Sequence, residues 1–412
     1  MSLTEYQPYL DWVAEQSGSM IALTEQWSSI NSGSYNIEGL RRMRAALVEA
    51  FAPLGGVAEV LPLPPFNQIN ARGEAVAVPM AEALTIRKRP EAPIQLLLVG
   101  HMDTVYGIDH PFQTPVKLTE NILNGPGVAD LKGGLAVMLH ALLALERSPW
   151  AANLGWQVLL NPDEEIGSVS SDPLLKAAAQ GKLLGLVYEP ALADGTLAGG
   201  RKGSGNFTLM VRGRAAHAGR NPEEGRNAIV ALAELTSAVF ALNCQREGVT
   251  LNPGKVEGGG ALNVVPDLGI LRFNIRTRVL EDEAWVLSEL NKLVENLSHK
   301  DGYMAELHGH FTRKPKPMAP QVQAVFDLVQ ACGRDLGLTI SVKPSGGCCD
   351  GNNLWHHGLP NVDTLGVRGA NIHSDQEVVY LDSFAERSQL SALLLMRLAK
   401  GDAKLPLESL PL

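Results

Sequence analysis

A chain of 412 residues is too long for one ordinary hydrophobic core, so two domains are expected. Its 45% hydrophobic and 19% charged residues give the balance of a soluble globular protein, and no stretch approaches the roughly 20 consecutive apolar residues of a membrane span. A formal net charge of −9 without a basic run excludes nucleic acid as an expected partner, because phosphate contacts need clustered Lys and Arg.

The opening MSLTEYQPYLDWVAEQ has no basic segment followed by an apolar one, so no signal peptide is read there, although a leader already removed would leave the same sequence. Up to about Leu54, polar and apolar residues alternate at helical spacing. The basic group Arg41, Arg42 and Arg44 reads as the solvated face of such a helix. Three short apolar runs follow, at 95–100 (QLLLVG), 156–161 (WQVLLN) and 183–189 (LLGLVYE). Runs of this kind are strands buried on both faces of a parallel sheet. A helical pattern over 132–147 lies between the first two, and the alternation predicts an α/β core.

From about Arg201 the pattern changes. A strand is predicted over 206–211, a helix over 225–242, strands over 250–257 and 268–277, a helix over 280–297 and a strand over 303–310. That order, β-α-β-β-α-β, is the split ferredoxin-like arrangement, and it makes an inserted domain spanning 201–312. The Pro-rich stretch 313–317 reads as a linker. After it come a helix from Gln321, a turn at 345–347, an apolar run at 362–367 and a helix from Asp382. Residues 1–200 and 313–412 are thus expected to form one domain in two pieces. The cysteines Cys244, Cys332, Cys348 and Cys349 are few and lack zinc-ribbon spacing. Free thiols in a reducing, cytoplasmic location are therefore expected.

Ionisable residues gather where these strands end. His101 and Asp103 follow the first run, Glu164 and Glu165 the second, and Glu189 closes the third. In α/β sheets ligands bind beyond the carboxyl ends of the strands, so all of them reach one edge. Asp130 sits at a helix start in GPGVADLKGG, and His373 lies in the polar segment NIHSD. Catalytic zinc takes imidazole and carboxylate ligands and keeps a position for water. Two zinc ions roughly 3.5–4 Å apart need a shared ligand, for which a bridging Asp is suited. A further carboxylate must accept the water's proton, and in Asp163-Glu164-Glu165 one Glu can bind metal while its neighbour faces the water. Other chemistries fit less well. Gly125-Pro126-Gly127 lacks the third glycine and the leading strand of a dinucleotide loop, no G-x-S-x-G elbow occurs, and neither does H-E-x-x-H.

The ordered set GHMDTVYG (100–107), GPGVADLKGG (125–134), NPDEEIGS (161–168), RKGSGNFTLMVRGRAAHAG (201–219), LNVVPD (262–267) and HSD (373–375) resembles the di-zinc carboxypeptidase and aminoacylase family. That family includes glutamate carboxypeptidase, acetylornithine deacetylase and succinyl-diaminopimelate desuccinylase. The resemblance implies a zinc-peptidase-like α/β catalytic domain with an inserted ferredoxin-like lid and dimerisation domain. It implies two Zn2+ per chain, with Co2+ or Mn2+ as substitutes. Asp130 would bridge them, His101 and Glu189 would complete one site, and Glu165 and His373 the other. Glu164 would be the general base, and Asp103 would support His101. His217 would reach across a homodimer to the oxyanion. Arg276 and Asn263 match positions that hold a substrate carboxylate in carboxypeptidase-type relatives, and Lys202 resembles the glutamate-carboxypeptidase subgroup. The implied reaction is amide hydrolysis releasing a C-terminal amino acid. An N-acyl-amino-acid deacylase is the near alternative, and a non-enzymatic metal-bound scaffold the remote one. The sequence departs from the family's pattern at Cys348 and Cys349, where relatives have a Gly/Ser/Thr-rich turn before Asp350.

Overall fold

The structure is a computed structural model that describes residues 3–403 and 405; the side chain of Cys244 lies outside the described set. A six-stranded sheet runs in the order Val57–Leu61, Ala83–Lys88, Leu154–Asn161, Ile94–His101, Leu184–Val187, Asn361–Val362. The last four are mutually parallel, and Ala83–Lys88 runs antiparallel both to its neighbour Leu154–Asn161 and to the edge strand Val57–Leu61. Leu96, Leu97, Leu98 and Val99 are fully buried, as a strand covered on both faces requires, and each such side chain contributes about 1.5–3 kcal/mol of burial.

Helices Gln7–Glu15, Ser17–Ser28, Gly134–Arg147 and Ser383–Lys400 share one apolar core with this sheet. The stretch Val128–Arg147 is long and apolar enough to cross a membrane, but nearly all of it is buried inside the fold. It is a core helix. Its start shows why two glycines open it: a Cβ on Gly134 would lie 2.1 Å from the carbonyl oxygen of Tyr188. Only a glycine lets the helix N-terminus approach the end of strand Leu184–Val187 so closely.

The inserted segment forms its own four-stranded antiparallel sheet, ordered Thr250–Gly258, Leu268–Thr277, Gly203–Arg212, Met304–Arg313. Helices Ala228–Ala241 and Leu280–Ser298 cover one face, and Phe207, Leu209, Leu232, Phe273, Val286 and Leu290 fill the core between. The β-α-β-β-α-β order read from periodicity is the order found, with ends shifted by a few residues.

Two features were not expected. A hairpin, Phe66–Ile69 with Ala75–Val78, rises from the catalytic unit and docks on the inserted sheet, where Ile69 packs with Met210 and Ile270. The stretch 313–317 is not an exposed linker. Arg313 ends a strand and is 2% exposed, and Lys316 is fully buried against Asp363 and Asn361 at 2.7 and 2.8 Å.

Candidate metal centre

The parallel strands deliver their C-terminal ends to one edge, and the ionisable residues meet there. His101 is the last residue of strand Ile94–His101. Glu164 and Glu165 form a single helical turn just after Leu154–Asn161. Glu189 follows Leu184–Val187. Asp130 comes from the irregular turn before helix Gly134–Arg147, where the Asp130–Leu131 peptide is cis. His373 is brought in by a loop in which its own φ is 63° and that of Asn371 is 55°. Left-handed backbone costs a non-glycine residue roughly 1–2 kcal/mol, so the loop holds the imidazole against a local preference.

Asp130 lies at the centre. Its Oδ1 is 3.1 Å from Nε2 of His101, and its Oδ2 is 3.3 Å from Nε2 of His373. Beyond His101 stands Glu189 Oε1 at 3.8 Å, and beyond His373 stands Glu165 Oε2 at 3.1 Å. Each side of one carboxylate thus faces its own imidazole and its own Glu. Ligand-capable atoms of His101, Asp130 and Glu165 lie within 4.8 Å of one another, and so do those of His101, Glu164 and Glu189.

Neighbouring groups hold this set in place. Asp103 accepts the backbone N–H groups of Glu164 and Glu165, both at 3.1 Å, and the Ser34 hydroxyl at 2.7 Å. Its Oδ1 is 3.4 Å from Nδ1 of His101, whose closer partner is the Asp103 carbonyl at 3.0 Å. Asp103 therefore fixes the Glu pair at least as much as the imidazole. Glu377 and Arg313 carry structure that sequence reasoning missed. The buried Glu377 carboxylate accepts from the N–H groups of Gly127, Ala129 and Asp130 at 3.0–3.1 Å and from the Tyr106 hydroxyl at 2.8 Å. It shapes the Asp130 turn. Arg313 donates to Glu164 Oε1 at 2.7 Å and to Asp350 at 2.6 Å, so it aims the Glu164 side chain.

The electrostatics ask for cations. Asp130, Glu164, Glu165 and Glu189 are packed together out of water, which disfavours several like charges. Burial, then repulsion from Asp130, pushes Glu165 up to about 8, and the same causes lift Glu189 well above its ordinary value. Burial pushes Glu164 up to about 7, with the Arg313 guanidinium pulling the other way. Hydrogen bonds to Asp130 and Glu165 lift His373 to about 11. Protons thus stand where positive charge is needed. Glu189 Oε1 is buried and has no hydrogen-bond partner, as suits an oxygen that ligates a cation. Imidazole and carboxylate donors in two groups sharing one Asp fit a pair of divalent cations.

The remaining sequence-derived residues lie on the inserted sheet unit. His217 is exposed, and its Nδ1 accepts from the Gly219 N–H at 3.1 Å. Asn263 is exposed, and its carbonyl pairs with the Ala218 N–H. Arg276 is half-buried, bonded to Asn274 at 2.8 Å and to the Cys348 sulfur at 2.9 Å. Lys202 is half-buried, and its carbonyl accepts from Asn352 at 3.0 Å. Among the described residues no hydrogen bond or ion pair joins His217, Asn263, Arg276 or Lys202 to the cluster. Cys332, Cys348 and Cys349 are free thiols. Cys349 is buried and its sulfur caps the helix Asp350–His356 through the Gly351 N–H at 3.3 Å, whereas Cys348 sits at Arg276.

The sequence profile of the peptidase family M20/M25/M40 matches residues 97–397. Carboxypeptidase G2 from a Pseudomonas strain is 30% identical over 311 residues, 74% of this chain and 74% of that protein. A succinyl-diaminopimelate desuccinylase from Psychrobacter arcticus is 28% identical over 353 residues, 81% of this chain and 84% of the other. Among solved structures, a Staphylococcus aureus tripeptidase superposes with a TM-score of 0.73 at 23% identity, covering 93% of this chain and 99% of its own. A Bacillus subtilis peptidase described as dinuclear metal binding superposes at 0.62 with 15% identity, covering 93% and 98%.

Proposed function

Because the chain belongs to peptidase family M20/M25/M40 and is a hydrolase acting on amide bonds, we propose that it holds two zinc ions and releases the C-terminal amino acid of a peptide. The observation that carries this reading is Asp130, whose two oxygens face His101 and His373 separately. In the proposed set Asp130 is shared, His101 and Glu189 hold one ion, and Glu165 and His373 hold the other. When bound, two divalent cations polarise the scissile carbonyl and lower the pKa of the attacking water. Glu164 stays outside the ligand set. Its carboxylate takes the water's proton and returns it to the leaving amine nitrogen, while Arg313 keeps it aimed. The forked guanidinium of Arg276 would take the substrate's carboxylate, with Lys202, two residues before its strand partner Ser204, as a further donor. Asn263 lies in the loop before Leu268, toward the other end of the Arg276 strand, beside Ala218 and His217.

A C-terminal carboxylate at Arg276 suits an exopeptidase like carboxypeptidase G2. The desuccinylase relatives favour a second reading, deacylation of N-acyl amino acids with the same cluster and the same carboxylate clamp. Both readings use a homodimer through the inserted unit. Supporting it, Val256 is 59% exposed on the unpaired edge strand Thr250–Gly258, and Val230 and Phe240 are 54% and 61% exposed on helix Ala228–Ala241. Leu262, beside Asn263, is fully exposed. Apolar side chains along an open sheet edge are the pattern of a surface that pairs with another chain. His217 of the partner subunit would then donate to the oxyanion.

Glu164→Gln tests the mechanism. Elemental analysis should still find two metal ions per chain, while hydrolysis of a C-terminal dipeptide falls roughly 10²–10⁴-fold. Undiminished hydrolysis would overturn the assignment of the base. Reconstitution with cobalt or manganese in place of zinc is expected to retain activity.

A further inference from the structure

A cleft of about 860 Å³ opens beside the cluster, between the uncovered face of the inserted sheet and the catalytic unit. It lies near the upper end of the roughly 300–1,000 Å³ that small-molecule sites occupy. Glu165, Ile166 and Thr312 line its inner end.

The sheet register shows how its floor is built. Asn252 pairs with Asn274, Asn274 with Asn206, and Asn206 with His310, so one row crosses all four strands with every side chain on the cleft face. Lys255, Arg272, Thr208 and His308 make a second row, two residues further along three of the strands and three along the first, where a bulge follows Pro253. The next row holds Met210 and Ile270, which are capped by Ile69 of the hairpin. There the cleft is closed, and the Arg272 guanidinium locks the closure by donating to the Ile69 carbonyl at 2.7 Å. The hairpin's Phe66, Asn67 and Gln68, with Tyr35, form the opposite wall.

Two aspects of this floor point to a ligand. A sheet face that is polar and open to bulk water needs no roof, yet this one is roofed by a dedicated hairpin. The side chains of Asn252 and His310 on the floor, and of Asn67 on the face of the hairpin that carries Ile69, make no hydrogen bond among the described residues, so both walls present free donors and acceptors. Carboxamides offer the same N–H and C=O groups as a peptide backbone. Arg276 and Ser204 form the row just before the Asn206 row, so the cleft leads away from the proposed carboxylate clamp, toward the acyl side of the scissile bond. From the Ser204 row to the Thr208 row is four residues, about 13 Å of strand, which an extended chain of about four residues would span.

We propose that the cleft is the binding site for the acyl side of the substrate and that it takes an extended peptidyl chain of about three residues in preference to a short acyl group. This rests on the exopeptidase reading and separates it from the deacylase one. A two- or four-carbon acyl group would reach one row and leave the rest to water.

The test uses the metal-loaded, full-length protein and a series ending in the same residue: N-acetyl-Glu, Ala-Glu, Ala-Ala-Glu and Ala-Ala-Ala-Glu. Each hydrogen bond gained along the rows should raise kcat/KM about 2- to 10-fold, so the longest member should exceed N-acetyl-Glu by at least about 10-fold. Asn252→Ala on the floor and Asn67→Ala on the roof should each lower the ratio of long- to short-substrate kcat/KM about 3- to 10-fold. Calorimetry on the Glu164→Gln protein reads the same preference as affinity, independently of turnover. If no member is hydrolysed by the wild type, the exopeptidase reading fails, and calorimetry still decides the cleft. A flat or inverted length dependence in affinity, or an unchanged ratio in both variants, would overturn the cleft assignment.

Discussion

The candidate metal cluster and the inserted unit's residues proposed to face substrate are built in opposite ways. In the cluster, His101, Asp103, Asp130 and Glu189 are between 1% and 7% exposed. Its supports are held in turn, as Asp103 is by two backbone N–H groups and Ser34 and Glu164 is by Arg313, while the His373 side chain is about half exposed. On the inserted unit, His217 and Asn263 face solvent, and Arg276 is steadied by one Asn and one thiol. One region is over-determined within the chain. In the function proposed above, the other would be completed by what it binds. The chemistry would then be rigid and general, with selectivity left to a surface whose partners come with the substrate and a second subunit.

The sharpest break in that comparison is Asp130→Asn. If Asp130 is the shared ligand, removing its charge weakens both sites at once, and His101 and His373 lose their common partner. The variant should lose both ions by elemental analysis. Its hydrolysis should fall further than the roughly 10²–10⁴-fold expected for loss of the base alone. A variant that still holds two ions per chain would dismiss the bridging role.

How much of this could be read from the sequence depends on where each residue's partners lie. His101, Glu164, Glu165 and Glu189 were legible because each follows an apolar strand directly, and strand ends of a parallel sheet converge by topology. The inserted unit was legible because its periodicity switches between two and three to four residues in the order β-α-β-β-α-β. Arg313 was not, because a basic, Pro-rich stretch looks like solvent-exposed chain; what buries it is Glu164 and Asp350, distant in sequence. Glu377 was hidden for the same reason, since its partners are backbone N–H groups of a turn far upstream. The hairpin Phe66–Ile69 with Ala75–Val78 has short strands among prolines, and its apolar contacts lie across the cleft. The cleft rows depend on strand register, which no single strand's sequence carries.

A smaller effect tests whether the second subunit completes the exposed region. Removing one oxyanion donor costs roughly 10²–10³ in kcat, so His217→Ala should fall by about that amount. The decisive measurement mixes this variant with Glu164→Gln, each nearly inactive alone. If His217 acts across the dimer, a mixed dimer contains one complete site, formed by Glu164 of one chain and His217 of the other. Equal mixing then restores up to about a quarter of wild-type activity, because about half the dimers are mixed and each has one of two sites intact. Action within a single chain predicts no recovery.

The smallest effect concerns Arg276, and it separates recognition from chemistry. Lys keeps the positive charge but replaces a planar fork with a point charge, so it loses one of two parallel hydrogen bonds to a carboxylate. A hydrogen bond to a charged group is worth about 1.5–3 kcal/mol, so Arg276→Lys should raise KM roughly 10- to 100-fold. If the clamp acts on a group remote from the reacting bond and equally in ground and transition states, kcat should stay nearly constant. The control is a substrate with an amidated C-terminus. Wild type should discriminate strongly against it, and the variant much less, because the group that makes the distinction has been weakened. A fall in kcat with KM unchanged would place Arg276 in the chemistry, and the division between a rigid cluster and an adaptable inserted surface would have to be redrawn around it.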